Sequence, residues 1–401
     1  NEGAVASRDV VAFDLATGTQ TLLSHSAASG HLQSQAGDVR TVTLSTDGRH
    51  VLFTAADAQR FGNGGTAFTD PAPTVTDLFA TDLQTGKIRL LSHTAASATT
   101  SAGVTLALLG TTANGWAVFS AADASAFGFT DSATGTADLI AVSLAEGTTK
   151  LITRSGASTP AASAGVAVTV EQIAGDHVYF TANDATAFGF SSDADTSRAD
   201  LFRFTPTTGV LELLSHASPG TTGSLAGNYR AGSLRVSPNG RYMAFVLNMQ
   251  ASGGGFSMAV NGDALFIADT QSGAIRLVNA SNAEGSTLSY TAWADAHNQP
   301  MFFTPDSSAL VWQTHYSSAQ ASDRTGTAPG WDNGSTVSAY VLDLVDGVKP
   351  AGASQVSRLL SHAATGTTIA AGASVNLVGV SPDSRLAYFM ASDATKLGNG
   401  G

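Results

Sequence analysis

The stretch Asp77–His93, DLFATDLQTGKIRLLSH, decides the fold. Leu78 and Ala80 alternate with Phe79 and Thr81, and Ile88 and Leu90 resume the same period-two pattern, as half-buried strands do. Between them Gln84-Thr85-Gly86 supplies a turn whose glycine can take positive φ. The stretch therefore predicts a β-hairpin. It returns as DVVAFDLATGTQTLLSH from Asp9, DLIAVSLAEGTTKLITR from Asp138, DLFRFTPTTGVLELLSH from Asp200, ALFIADTQSGAIRLVNA from Ala264, and in stretched form from Ser338 to His362, six copies in all.

A second hairpin is interleaved with the first, centred on a polar turn ahead of a β-rich run. Its copies are STDGRHVLFTAAD at Ser45, TANGWAVFSAAD at Thr112, AGDHVYFTAND at Ala174, SPNGRYMAFVLN at Ser237, TPDSSALVWQTH at Thr304 and SPDSRLAYFMASD at Ser381. The turn glycines Gly18, Gly86, Gly147, Gly209, Gly273 and Gly347 recur roughly every sixty to seventy residues, a propeller, solenoid or array interval. Six repeats of four short strands, with no helical periodicity between them, predict an all-β, six-bladed β-propeller with four-stranded antiparallel blades.

One domain spanning 1–401 is expected. Its blades one to five lie at approximately 38–93, 104–154, 166–216, 231–280 and 298–362. The sixth, closing blade is expected to come from both termini, with inner strands from 375–401 and outer strands from 9–25, a latch that removes free edges. Asn1 is not an initiator, so a mature chain or an excised domain is expected.

The blade pattern S-P-D/N-G-R, an apolar β run, then DLF-x-x-DL-x-TG-x-x-x-LLS, resembles TolB-like six-bladed propellers, in particular large bacterial secreted relatives. The resemblance covers essentially the whole chain. It implies the propeller fold, and its family spans binding scaffolds, peptidase-associated propellers and carbohydrate-active enzymes, so it does not select an activity.

Bulk composition narrows the partners. The formal charge is −12 and Lys plus Arg total only 19, scattered along the chain, so no phosphate-binding footprint exists and a nucleic-acid partner is excluded. Charged residues make up 12% against a usual ~25%, so Ser, Thr, Asn and Gly must supply the surface polarity. No cysteine is present, which removes disulfides, thiolate metal sites and thiol catalysis. No apolar run reaches the ~18–20 residues of a membrane-spanning helix. A secreted, extracellular or cell-surface location, with the periplasm as the other compartment, is the expectation from a Ser/Thr/Ala/Gly-rich, Lys-poor repeat chain.

Strand alternation puts the tight hairpin turns on one face and the loops between hairpins and between blades on the other. Binding residues belong on the long-loop face, on loops held by a rigid scaffold. Blades two and three carry near-identical loops, SAADASAFGFTDSATGTADL from Ser120 and TANDATAFGFSSDADTSRADL from Thr181. The last two blades before closure diverge, with FVLNMQASGGGFSMAVNGDALF from Phe245 and VWQTHYSSAQASDRTGTAPGWDNGSTVSAYV from Val311.

Three constellations carry candidate chemistry. Aspartates recur where the second strand ends, at Asp57, Asp123, Asp184 and Asp393, and where the third begins, at Asp9, Asp77, Asp138 and Asp200. A carboxylate there can accept backbone N–H bonds from the loop it opens. It can also serve as a hard oxygen ligand, and Asp193, Asp195 and Asp200, with Asp131 and Asp70 at comparable places, form the candidate calcium ligands. No copy has the spacing of an EF-hand. His25, His93, His216 and His362 close the LLSH motif in four blades and are expected to make a side-chain hydrogen bond at the start of each inter-blade linker.

The third constellation is the set of non-repeated residues around the divergent blades: Tyr229, Arg230, Trp293, Asp295, His297, His315, Tyr316, Arg324, Trp331 and Asp332. Aromatic faces beside charged groups suit a sugar or a peptide, whereas packing within a longer loop is the plainer reading. No nucleophile elbow, phosphate loop or H-E-x-x-H occurs. The sequence thus predicts a non-enzymatic propeller scaffold that binds a protein or glycan through its long-loop face, with calcium bracing the loops. A polysaccharide lyase or hydrolase using His297, His315, Tyr316 and Arg324 is the alternative. A monomer is expected, and a strand-swapped structural or filament subunit is the third reading.

Overall fold

A computed structural model of the chain describes residues 8–27, 39–133, 135–156, 162–191, 196–216, 227–249, 260–278, 290–291, 300–315, 337–348, 357–363 and 366–398. Among these residues the regular structure is β, with short 3₁₀ turns and no α-helix. The chain divides into two compact units. One comprises 1–182, 186–190 and 202–212, and the other 183–185, 191–201 and 213–401.

In the first unit, a four-stranded antiparallel meander joins Val39–Leu44, His50–Ala56, Thr76–Asp82 and Ile88–Leu90 in chain order. A second joins Leu106–Thr111, Trp116–Ala121, Asp138–Ser143 and Thr149–Leu151. The third sheet, Val168–Ala174, His177–Ala182, Asp200–Thr205 and Val210–Leu213, repeats the order. These are propeller blades, and the predicted hairpins Asp77–His93 and Ser45–Asp57 form the outer and inner halves of the first. Ahead of it stands a two-stranded hairpin, Val11–Phe13 with Gln20–Leu22.

In the second unit, the fourth blade is augmented. Tyr242–Met249 pairs with Val260–Asp269 over its whole length, and Tyr290–Thr291 adds a short parallel pairing to Val260 and Asn261. The fifth blade returns to the simple meander, Met301–Phe303, Ala309–His315, Val337–Asp343 and Ser357–Leu359. Val375–Val380 pairs with Ala387–Ala391 as a two-stranded hairpin. The sequence reading joined these two hairpins into one closing blade; each stands as a two-stranded sheet of its own. Val11 and Phe13 are exposed on one, and Val378, Tyr388 and Met390 on the other.

The turns form where the sequence demands them. In the first blade, Gly48 N donates to Ser45 O at 2.8 Å and Gly48 takes φ +69°. Asp47 Oδ1 accepts from Arg49 N at 2.9 Å, so the carboxylate satisfies a turn donor that the ladder leaves free. In the outer hairpin, Gly86 N donates to Asp82 O at 2.8 Å and Asp82 Oδ1 accepts from Gln84 N at 2.8 Å. A register shift recurs in the innermost strand, between Leu108 and Gly110, Val170 and Gln172, and Leu377 and Gly379. Such bulges increase strand twist, which a blade needs to splay from its neighbour.

Blade packs on blade through both faces. Leu52, Leu78, Ala80 and Leu91 of the first pack with Ala117, Phe119, Ile140 and Val142 of the second. Val10 and Leu23 of the N-terminal hairpin pack with Phe53 and Phe79, whose rings stack at 5.2 Å. Phe180 and Phe202 repeat that pair at 5.2 Å in the third blade. In the second unit Trp312 and Tyr340 stack at 5.7 Å within a cluster that includes Tyr242, Val246 and Met301.

Candidate functional site

The loops between hairpins leave the sheets from fixed pairs, Ala56 with Thr76 in blade one, Ala121 with Asp138 in blade two and His315 with Val337 in blade five. In the first two blades this loop opens with a 3₁₀ turn, Ala58–Arg60 or Ala124–Phe127. Asp123 caps its turn as expected, accepting from Ser125 N at 2.8 Å, and Asp393 does the same for Thr395 N at 3.1 Å. Asp57 does not. It takes φ 62° and instead accepts from Arg60 Nε at 2.7 Å, while Asp70 Oδ2 accepts from Ala58 N at 2.8 Å as Asp131 Oδ2 does from Ala124 N at 3.3 Å.

Asp70 and Asp131 therefore anchor the loops from their far ends. Asp70 Oδ1 also accepts from Ala72 N at 2.8 Å, and Asp131 Oδ1 from Ala133 N at 2.9 Å. Each loop is further tied to the following inter-blade linker. Thr69 N donates to Thr99 O and Ser101 N to Thr69 O, both at 2.8 Å, and Ser163 N donates to Thr130 O at 2.8 Å.

Behind these anchors lie the aspartates that open the third strands. Asp77 and Asp138 are 2% and 3% exposed. Asp77 Oδ1 accepts from Ser92 Oγ at 2.8 Å and from Ser101 Oγ at 2.6 Å. Asp138 Oδ1 accepts from Thr153 Oγ1 at 2.7 Å, and Asp200 Oδ1 from Ser215 Oγ at 2.7 Å. The same hydroxyl accepts the backbone N–H next to the aspartate, Leu78 N to Ser92 Oγ at 3.0 Å and Leu139 N to Thr153 Oγ1 at 3.1 Å. The serine of the LLSH motif is thus the hinge of this network, a role the sequence reading missed although the interval between aspartate and hydroxyl is constant.

Burial disfavours a charged carboxylate. It pushes Asp77 up to about 6 against the opposing hydrogen bonds of Ser101 and Ser92, with the charge of Asp70 adding to the rise. Burial likewise raises Asp138 to about 6 against the bond from Thr153, with Asp131 and Asp123 adding to it.

Two of the four motif histidines, His25 and His93, make hydrogen bonds of the expected kind. His25 Nε2 lies 2.8 Å from Gly86 O and His93 Nε2 lies 2.8 Å from Gly147 O, each in the next blade's outer turn. Lys150 reaches the turn after its own in a parallel way, donating from Nζ to Thr207 O at 3.0 Å while lying 5.0 Å from the centre of the Trp116 ring.

Of the non-repeated ligand-face candidates, Tyr229 is buried and its Oη accepts from Leu234 N at 3.1 Å. Arg230 Nε donates to Asp263 Oδ1 at 2.8 Å, and Asn248 Nδ2 donates to the same oxygen at 2.7 Å. His315 ends the second strand of blade five. Trp293, Asp295, His297, Tyr316, Arg324, Trp331 and Asp332 lie outside the described residues, as do Asp193 and Asp195 of the calcium candidates. Among the described residues no three His, Asp or Glu side chains converge as a metal-ligand group, and no helix is long and apolar enough to cross a membrane.

The sheets define an all-β repeat protein built of propeller blades. No protein-family model matches the chain, and no curated protein matches it. Among solved structures it is similar to TolB from Acinetobacter baumannii, with 12% identity and a TM-score of 0.28 over 84% of this chain and 60% of that one. It is also similar to an oligogalacturonate lyase in complex with manganese, with 13% identity and a TM-score of 0.32 over 84% and 68%. Porphyromonas gingivalis dipeptidyl peptidase 4 gives 10% identity and a TM-score of 0.41 over 84% and 41%. The chain thus spans less than two thirds of the TolB and peptidase chains.

Proposed function

We propose that this chain is a non-enzymatic, secreted or cell-surface propeller scaffold that binds a protein or glycan partner through its long-loop face. One observation carries the reading. His315 pairs with Val337 as Ala56 pairs with Thr76 and Ala121 with Asp138, so segment 316–336 enters and leaves its blade where the braced loops of blades one and two do. Those loops spend their polar groups on internal caps. The fifth-blade segment carries Tyr316, Arg324, Trp331 and Asp332 instead. Aromatic faces next to hydrogen-bonding charges are what a sugar ring or a peptide loop needs, and a rigid blade is what holds such a loop in place.

The test is retention on a panel of immobilised polysaccharides and extracellular proteins, with Trp293, His315 and Trp331 changed together to alanine. Retention of the native chain on a panel member and its loss in the triple variant support the reading. A native chain retained on nothing, or a variant retained equally well, sinks the proposed face. Release of oligosaccharides from a panel polysaccharide would replace it by the lyase or hydrolase reading built on His297, His315, Tyr316 and Arg324.

A further inference from the structure

The carboxylates at the loop bases come in pairs. Asp70 precedes Asp77 by the same interval at which Asp131 precedes Asp138 and Asp193 precedes Asp200. Glu2 stands at that interval before Asp9. In the fourth blade the strand-opening position is Ala264, and Ser257 stands in the partner place; in the fifth they are Ser338 and Trp331. The two acids are therefore present together or absent together across all six blades. Were the buried aspartate only an acceptor for its Ser or Thr hydroxyl, a second carboxylate beside it would be a liability, because like charges in a poorly solvated place repel.

The geometry leaves one atom of each pair without a partner. Asp77 Oδ1 takes both hydroxyl bonds and Asp138 Oδ1 takes the bond from Thr153, yet Oδ2 of each is buried and accepts no hydrogen bond. The residues are more than nine-tenths buried. The Asp70 carboxyl acts on Asp77, together with the hydroxyls of Ser101 and Ser92. Thr153, Asp131 and Asp123 act on Asp138. None of these is a cation. A buried, unpartnered carboxylate oxygen on a residue influenced by a second carboxylate is a hard-ligand environment, the kind that suits calcium with its oxygen-only coordination.

We propose that the carboxylate pairs Asp70/Asp77 and Asp131/Asp138 each bind a divalent cation of the calcium class, with Oδ2 of the buried aspartate as the central ligand. Such an ion would tie three segments together at each blade: the long loop through Asp70 or Asp131, the third strand through Asp77 or Asp138, and the inter-blade linker through Ser101 or Ser163. Ser163 already donates to Asp131 Oδ1 at 3.3 Å, and the linker in blade one reaches Asp77 directly. Asp77 and Asp138 were assigned to turn-capping by sequence, and here they become the ligands around which the calcium candidates Asp70 and Asp131 are arranged. The site does not depend on the loop face having a partner.

The experiment is calorimetric titration of the chelator-dialysed chain with calcium chloride at neutral pH, alongside thermal unfolding with and without the ion. Binding in the native chain, a raised unfolding midpoint, and loss of two equivalents in the double variant Asp77→Asn/Asp138→Asn are expected. Should that variant fail to fold, Asp70→Asn/Asp131→Asn serves in its place, since asparagine keeps an oxygen to accept the loop N–H bonds. No heat and no midpoint shift in the native chain overturns the proposal and leaves each pair sharing a proton. So does calcium binding whose stoichiometry is unchanged in both double variants.

Discussion

His93 grips the turn of the blade that follows it: Nε2 lies 2.8 Å from Gly147 O, while Nδ1 lies 2.8 Å from Thr94 O in its own linker. His25 stands in the same relation to Gly86 and Ser26. The two most recognisable marks of the repeat, the TG turn and the LLSH end, are thus two halves of one inter-blade contact. Replacing His93 by alanine leaves the Gly147 carbonyl without this donor and opens a gap at a blade interface. A loss of about 1–3 kcal/mol in urea unfolding is the expected outcome, the range for stranding a buried polar partner. A variant as stable as the native chain would show the contact to be incidental.

Ser92 is the second repeated contact. Its Oγ donates to Asp77 Oδ1 at 2.8 Å and accepts from Leu78 N at 3.0 Å, so alanine strands a donor and weakens the hold on a carboxylate at once. Ser92→Ala is expected to cost about 1–3 kcal/mol. Ser92→Thr is expected to be close to neutral, because blade two already uses Thr153 for both bonds. Denaturant midpoints of the two variants compared side by side check this, and equal losses in both would contradict it.

How much of this was legible in the sequence depends on distance along the chain. The turn at Gly86 and the alternation of Leu78 with Phe79 are local, and the hairpins fall where those residues put them. The fate of His93 was only half legible. A hydrogen bond at the linker could be expected, but its acceptor is the backbone carbonyl of a residue in the next blade, which no side-chain identity announces. Asp57 and Asp123 look alike as strand-end aspartates, yet only Asp123 caps its turn: the Asp57 carboxylate is held by Arg60, where blade two has Ala126. On the ligand face, Tyr229 shows why divergence is a weak signal: an aromatic outside the repeat pattern can be a packing residue that hydrogen-bonds Leu234.

Gly189 tests how closely the loop and the linker approach. It takes φ +86°, a conformation side chains rarely adopt, and a Cβ there would lie 2.6 Å from Gly156 Cα. Backbone cannot yield as a side-chain tip can, so Gly189→Ala combines left-handed strain of roughly 1–2 kcal/mol with a steric clash. The expected result is a clear fall in thermal midpoint. Gly175→Ala, where φ is +57° but nothing lies within 4 Å, isolates the strain alone and should lose less. Equal losses would mean that the approach to Gly156 relaxes freely.

The buried aspartates give stability a pH dependence opposite to that of ordinary capping carboxylates. Asp77 and Asp138 are raised to about 6 in the folded chain, against roughly 3.9 when unfolded. The folded state therefore holds more protons between pH 4 and 6. Linkage makes the contribution of these two groups most favourable below the unfolded value, with stability lost as pH rises through the folded one. At about 1.4 kcal/mol for each unit of displacement, the loss is on the order of 3 kcal/mol per aspartate in the absence of metal. Asp82, held down to about 2 by Arg49 and the N–H groups of Gln84 and Thr85 despite partial burial, contributes in the other direction at lower pH. The informative quantity is accordingly the difference between the native chain and Asp77→Asn/Asp138→Asn, measured by urea unfolding in chelator from pH 4 to pH 8. The native chain should lose stability relative to the double variant across that window and run parallel to it above pH 7. A constant difference from pH 4 upward would mean that both aspartates are already ionised at pH 4 and that burial does not govern their charge.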